Sequence, residues 1–147
     1  MRQYDPLKVV GSFAWAGGSV DILDGTVNEG DFATVEDDNP RWSRETDRNG
    51  RSTRVKNNNR GGVVPVTLSA SSPTNAALRV LANTDDLTEN IVGTLTLNDL
   101  NGTTIVVGTG AFIETNVKPT FGAARGSLVW RFQCERIDAF GGGHNVV

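Results

Sequence analysis

Hydrophobic positions along this 147-residue chain recur mostly at every second residue. In "SLVWRFQCERID" the set Leu128, Trp130, Phe132 and Cys134 alternates with Val129, Arg131, Gln133 and Glu135. That spacing predicts a long strand with one apolar face and one largely polar face. The stretch "IVGTLTLND", residues 91–99, sets Ile91, Leu95 and Leu97 against Thr94, Thr96 and Asn98, and "TTIVVGTGAFIE", residues 103–114, is rich in β-branched residues. Between them lies "DLNG", whose Asn101-Gly102 pair is a strong hairpin signal, so these two strands are expected to pair. "LKVVGSFAWAGGSVDIL" predicts another hairpin around Gly17-Gly18, with Val9, Phe13 and Trp15 on one face. "TVNEGDFATVE" continues the strand pattern with a bulge or turn at Gly30. In "GGVVPVTLSA", residues 61–70, Pro65 has no amide donor and favours an edge or a bulge. Roughly six to eight strands are expected in all.

One segment changes period. "SSPTNAALRVLANTDD" offers Ser72 as an N-cap and Pro73 at the first helical position, followed by Ala76, Ala77, Val80 and Leu81 on a 3.6-residue repeat. A short amphipathic helix over 73–83 follows, its stripe of Ala77, Leu78 and Leu81 lying across a sheet face. The expected fold is mainly β, a sandwich or barrel with one packed helix, in a single domain spanning 1–147.

Composition then removes function classes. A net charge of −3 argues against a protein whose main task is gripping phosphates by charge. Cys134 has no partner cysteine in the chain, which excludes a disulfide framework and fits a reducing compartment. Asp5 and Pro6 stand where the apolar run of a signal peptide would begin, and no stretch approaches the ~18 apolar residues of a membrane span. The reading is a soluble, unsecreted chain with no membrane partner. The single histidine, His144, falls in "GGGHNVV", a glycine-rich end (141–147) read as a flexible tail, so neither a histidine-based triad nor a multi-histidine metal site can be built. Cys134, on the apolar face of its strand, reads as a small core residue. Asp37-Asp38 and Asp85-Asp86 read as solvated charges at element ends, and "GTGAF" and "GGGH" as turn glycines. No enzyme chemistry and no cofactor emerge.

The segment from 36 to 60 is left over. It carries Arg41, Arg44, Arg48, Arg51, Arg54, Lys56 and Arg60, half of the basic residues of the chain, against Glu36, Asp37, Asp38, Glu45 and Asp47. A structureless connection longer than about 12 to 15 residues is uncommon in a compact domain unless it is functional or a linker. Arginine suits bidentate pairing with carboxylates on another surface, and Trp42 is an anchor of the type enriched at interfaces. The segment is therefore expected to be an assembly loop, with Arg41, Trp42, Arg44, Arg48, Arg51, Arg54 and Lys56 at a subunit interface, ordering on contact with a neighbour. A nucleic-acid reading, with Trp42 stacking on a base, competes; the interleaved acids leave a weak net field of +2.

The opening "YDPLKVVGSF", the run "NNNRGGVVPVTLSASSPTNAALRVL" with its Ser-Pro-x-Asn helix start, and "WRFQCERIDAFGGG" near the C-terminus resemble the tail tube proteins of contractile-tailed bacteriophages. The resemblance runs over most of the chain. It implies a β-sandwich subunit with one helix, six subunits per ring, and rings stacked into a hollow tube that conducts the genome during ejection. It also implies that a long loop between early strands reaches the next ring. Implied partners are further copies of the chain, sheath, tape-measure, baseplate and tail-terminator proteins, with DNA passing without tight binding, in a virion tail assembled in the host cytoplasm. A conduit should not adhere to DNA, so the polar strand faces supply lumen candidates: Thr94, Thr96, Asn98, Gln133 and Glu135. Competing readings are a capsid-decoration or head–tail completion protein and a carbohydrate-binding sandwich. Trp15 and Trp130 fall in register with core positions, which counts against sugar platforms.

Overall fold

The computed structural model describes residues 3–27 and 30–142. Among the described residues, ten strands and one α-helix follow a one-turn 3₁₀ helix, Pro6–Lys8. The strands are β1 (Val9–Trp15), β2 (Gly18–Asp21), β3 (Glu36–Asp37), β4 (Trp42–Thr46), β5 (Ser52–Lys56), β6 (Gly62–Ser69), β7 (Gly93–Asp99), β8 (Ile105–Ile113), β9 (Ser127–Cys134) and β10 (Arg136–Phe140). The helix α1 spans Thr74–Thr88 between β6 and β7.

Eight strands form one antiparallel sheet in the order β2-β1-β7-β8-β9-β6-β3, with β10 also paired to β8. Strand β8 is shared: Ile105–Thr109 pairs with β7 and β10, while Phe112 and Ile113 pair with β9. Around it the sheet folds into two layers whose inner faces meet, as the 5.6 Å approach of the Phe13 ring on β1 to the Phe132 ring on β9 records. The architecture is the expected mainly-β sandwich with one helix.

Alternation builds the core. Strand β6 sends Val64, Val66 and Leu68 inward, and β9 sends Leu128, Trp130, Phe132 and Cys134 to meet them. Each fully buried aliphatic or aromatic side chain stabilises by about 1.5 to 3 kcal/mol relative to exposure. From α1, Leu78, Leu81 and Ala82 close one side, while Asn75 accepts a hydrogen bond from Trp130 Nε1 at 2.9 Å and donates to the Ser69 carbonyl at 2.9 Å. The indole is thereby buried with its one donor satisfied.

Four expectations change. The helix continues to Thr88 rather than ending at 83, and its inward face is Asn75, Leu78, Leu81 and Ala82, leaving Ala76 and Val80 exposed. In its polar last turns the Thr84 and Thr88 hydroxyls donate to the carbonyls of Val80 and Thr84, and Glu89, in the left-handed conformation, terminates it. The long C-terminal strand is two strands: β9 ends at Cys134, the chain bends at Glu135, and β10 pairs elsewhere. The segment after Gly25 makes isolated bridges, Thr26 to Leu68 and Ala33 to Val66, in place of a continuous strand. Thr34 N donates to the Pro65 carbonyl, so the missing donor of Pro65 faces this segment and breaks its ladder. Finally, β7 and β8 do pair, yet neither Asn101 nor Gly102 adopts the left-handed conformation of a tight Asn-Gly turn. Asn101 is instead buried and clamps the N-terminal segment: it accepts from Asp5 N at 3.0 Å and donates to Asp5 O at 2.9 Å.

Candidate assembly surfaces

The polar segment is a hairpin, not a structureless loop. Strands β4 and β5 form their own two-stranded sheet, pairing Trp42 with Lys56, Arg44 with Arg54 and Thr46 with Ser52. The connection is closed by Asp47, which receives Asn49 N and Arg51 N at 2.9 Å, and by Gly50 at φ +82°. Glycine suits that conformation because it has no Cβ to strain it. At the root, Asn57 N donates to the Arg41 carbonyl at 2.7 Å and Arg41 Nη1 to the Asn57 carbonyl at 2.9 Å. Neither β4 nor β5 makes an extended contact with any other element, and every residue of β4 is exposed. This arm carries almost no apolar burial for its own chain.

Pairing sorts charges that sequence interleaves. Directly opposed residues share a face, and residues two apart along a strand do too. One face therefore holds Trp42, Arg44, Thr46, Ser52, Arg54 and Lys56; the other holds Ser43, Glu45, Thr53 and Val55. Three cations and no carboxylate occupy the first. The Arg54 guanidinium lies 3.5 Å from the Trp42 ring centroid and Lys56 Nζ 5.9 Å, so the indole is stacked under its own arginine. Of the residues expected at an interface, Trp42, Arg44, Arg54 and Lys56 come together here. Arg48 and Arg51 are exposed in the turn, and Arg41 is half-buried at the root.

A second ion cluster ties the root to the sandwich. Asp138 on β10 accepts from Arg60 Nη2 and from Arg136 Nε, each at 2.9 Å. Arg131 pairs with Glu114 at 3.0 Å. The two arginines of the C-terminal stretch are thus held by carboxylates on their own chain.

Of the lumen candidates, Thr94, Thr96 and Asn98 stand on the outward face of β7. Their cross-strand partners are Ala14, Ser12 and Val10 on β1 and Thr109, Val107 and Ile105 on β8. These nine residues carry no ionisable side chain; charge returns at the borders of the field, with Asp21 opposite Ser12 and with Arg136 and Asp138 opposite Thr109 and Val107. Gln133 lies apart from it, whereas Glu135 adjoins its edge, with Glu135 N donating to the Thr109 carbonyl at 3.0 Å. Gln133 is half-buried on β9, opposite Val63 and Phe112, and Glu135 sits at the bend with its side chain over Gly110.

Cys134 is buried against Gly108, and burial pushes its thiol up to about 11, well away from a reactive thiolate. His144 lies outside the described residues, as do 143–147 of the expected tail; Gly142, at its start, exchanges hydrogen bonds with the Thr103 hydroxyl.

A sequence profile described as "Bacteriophage PhiTE tail tube protein" matches residues 1–142. The chain belongs to this tail tube family. It is a structural protein of the phage tail, not an enzyme. Similar solved structures agree on the fold at low identity. The cap of the anti-feeding prophage, a tube-terminating cap, is 12% identical with a TM-score of 0.67, covering 97% of this chain and 95% of that one. The sheath/tube terminator of the extracellular contractile injection system PVC is 13% identical with a TM-score of 0.66, covering 96% and 99%. The PVC sheath-tube complex contributes a chain 13% identical with a TM-score of 0.63, covering 95% and 92%. No curated protein matched the chain.

Proposed function

We propose that this tail tube family member assembles as six-membered rings that stack into a hollow tube, and that the tube conducts DNA during ejection. The observation that carries the reading is the arm, a formed hairpin that its own chain leaves unpacked on both faces. Such a device gains its stabilisation from a neighbouring copy. The sandwich edges support the same reading, since β2 and the irregular segment beside β6 leave backbone groups that a neighbour in a ring can cover. Sheath and terminator proteins are the proposed partners on the outside and at the end of the tube, as the contexts of the similar structures suggest. Tape-measure and baseplate contacts follow from the same role, with assembly in the host cytoplasm. Negative-stain microscopy of concentrated purified protein tests this: hollow tubes support it, and monomers at every concentration refute it.

A second reading has its own observation. Two of the similar structures come from a cap and a terminator, so the chain can instead close a tube end as a single ring. Single rings without stacking, at concentrations where tube proteins polymerise, favour that reading.

The uncharged field around Thr94, Thr96 and Asn98 is the proposed lumen wall. Duplex DNA carries a charge about every 1.7 Å, and a basic wall would hold it by releasing counterions. Phage carrying Thr94→Lys and Thr96→Lys should form tails of normal length yet eject DNA slowly, with the defect eased by raising salt, because such charges are screened beyond about 8 to 10 Å near physiological ionic strength. Normal ejection through normal tails would place the field elsewhere.

A further inference from the structure

The arm and the body differ sharply in charge. Residues 41–56 hold six basic and two acidic side chains, a net of +4, whereas the remainder holds eight basic and fifteen acidic, a net of −7. Within the arm the cations are gathered on the Trp42 face. Arg44 and Arg54 stand directly opposite each other, and like charges at that position destabilise an isolated hairpin. The arrangement makes sense when carboxylates from outside lie against it.

Those carboxylates can be located by topology. The arm leaves and re-enters the sandwich at the Gly62 end of β6, where Asp37 pairs with Gly62 and Ile137 N donates to the Arg60 carbonyl. At the other end of β6, Ser69 N donates to the Gly25 carbonyl, and the Ser72 and Thr74 hydroxyls both donate to the Asp24 carbonyl. Thr74 Oγ1 also reaches the Asp21 carbonyl, and Thr67 N donates to the carbonyl of Phe32, beside Asp31, so Asp21, Asp24 and Asp31 come near this end, all exposed and none in an ion pair among the described residues. Arg125, which donates to Ser71 Oγ at 3.2 Å, reaches the same region and leaves it net negative. Eight residues of strand separate the two ends by about 26 Å.

We propose that the Trp42-Arg44-Arg54-Lys56 face docks, by charge, on the exposed carboxylates Asp21, Asp24 and Asp31 of a second copy. Basic and acidic surfaces at opposite ends of one strand suit a head-to-tail contact, which stacks copies when its rotation does not close into a ring. The acidic stretch Glu36-Asp37-Asp38 sits at the arm's own root, and mating with it would give a self-closed pair in place of a stack. Duplex DNA is the competing occupant. It is disfavoured by the −7 body around the arm and by Arg54, which already covers the Trp42 ring.

This inference rests on the tail tube reading, and the test separates the two. Full-length protein, mixed as light and heavy isotope-labelled copies, is treated with a carbodiimide, which couples an amine to a neighbouring carboxylate. Mass spectrometry should then find Lys56 joined to Asp21, Asp24 or Asp31 of the other copy. Arg44→Glu with Arg54→Glu should raise the concentration needed for stacking by roughly tenfold or more, as loss of close charge pairs does. Glu45→Lys, on the opposite face, should leave it unchanged, and adding Asp21→Arg with Asp24→Arg to the double-Glu variant should restore stacking. Tubes that form normally from the double-Glu variant, or cross-links confined to other carboxylates, overturn the docking surface while the tail tube reading stands. A wild-type protein that neither assembles nor cross-links overturns both. Duplex DNA that is shifted by wild type but not by the double-Glu variant, with stacking unchanged, assigns the face to nucleic acid and overturns the proposal.

Discussion

Trp130→Ala lowers the thermal unfolding midpoint by about 10 to 15 °C, from a loss of about 3 to 5 kcal/mol in a domain of this size. Trp130 is fully buried, and its removal opens a cavity bordered by neighbours from β6, β9 and α1. It also strips Asn75 Oδ1 of its donor, and an orphaned buried acceptor costs about 1 to 3 kcal/mol. Trp130→Phe separates the two terms, because it keeps most of the packing and loses the hydrogen bond; its midpoint should fall between those of wild type and Trp130→Ala. Calorimetry or circular dichroism melts check both. A Trp130→Ala midpoint within about 2 °C of wild type contradicts the assignment of this side chain as the centre of the core.

The sandwich was legible because burial and period coincide. Leu95, Leu97, Leu128, Trp130 and Phe132 alternate with polar residues, and alternation is the mark a half-buried strand leaves. The arm left no such mark. "WSRET" and "STRVK" contain one tryptophan and one valine, so a hydrophobic pattern had nothing to report, although Asn49-Gly50 between them is the same hairpin signal that was read at Asn101-Gly102. There the signal found the pairing and missed the turn, because the Asn101 side chain is spent on the Asp5 backbone, nearly a hundred residues away in sequence. The bend at Glu135 was equally silent. It depends on β8 changing partners next to a bulge at Gly110, φ +64°, a tertiary event with no periodic signature. For the assembly surfaces the missing information was pairing itself. Net charge over 36–60 is only +2, and it took the register of β4 on β5 to show that Arg44, Arg54 and Lys56 face one way and Glu45 the other.

Replacing Trp42–Lys56 by an Asn-Gly pair should leave a folded, β-rich monomer that no longer polymerises. Arg41 and Asn57 are already bonded backbone to backbone at 2.7 Å, so a two-residue hairpin loop can join them without moving the root. The excised strands place no residue in the core, and no side chain of 42–56 bonds to the sandwich among the described hydrogen bonds and ion pairs. Arg60 keeps its bond to Asp138, so the tie between the root and β10 survives. The midpoint should therefore stay within about 3 °C of wild type, the scale of a change near 1 kcal/mol. Assembly should respond quite differently. If the arm is the element that a neighbouring copy buries, its loss removes the whole contact at once, and sedimentation velocity should show no species larger than a single ring at concentrations where wild type forms tubes. Loss of the folded signal would mean that the arm stabilises its own sandwich. Tubes of normal length would mean that stacking depends on the sandwich edges alone, and the arm would then need another partner.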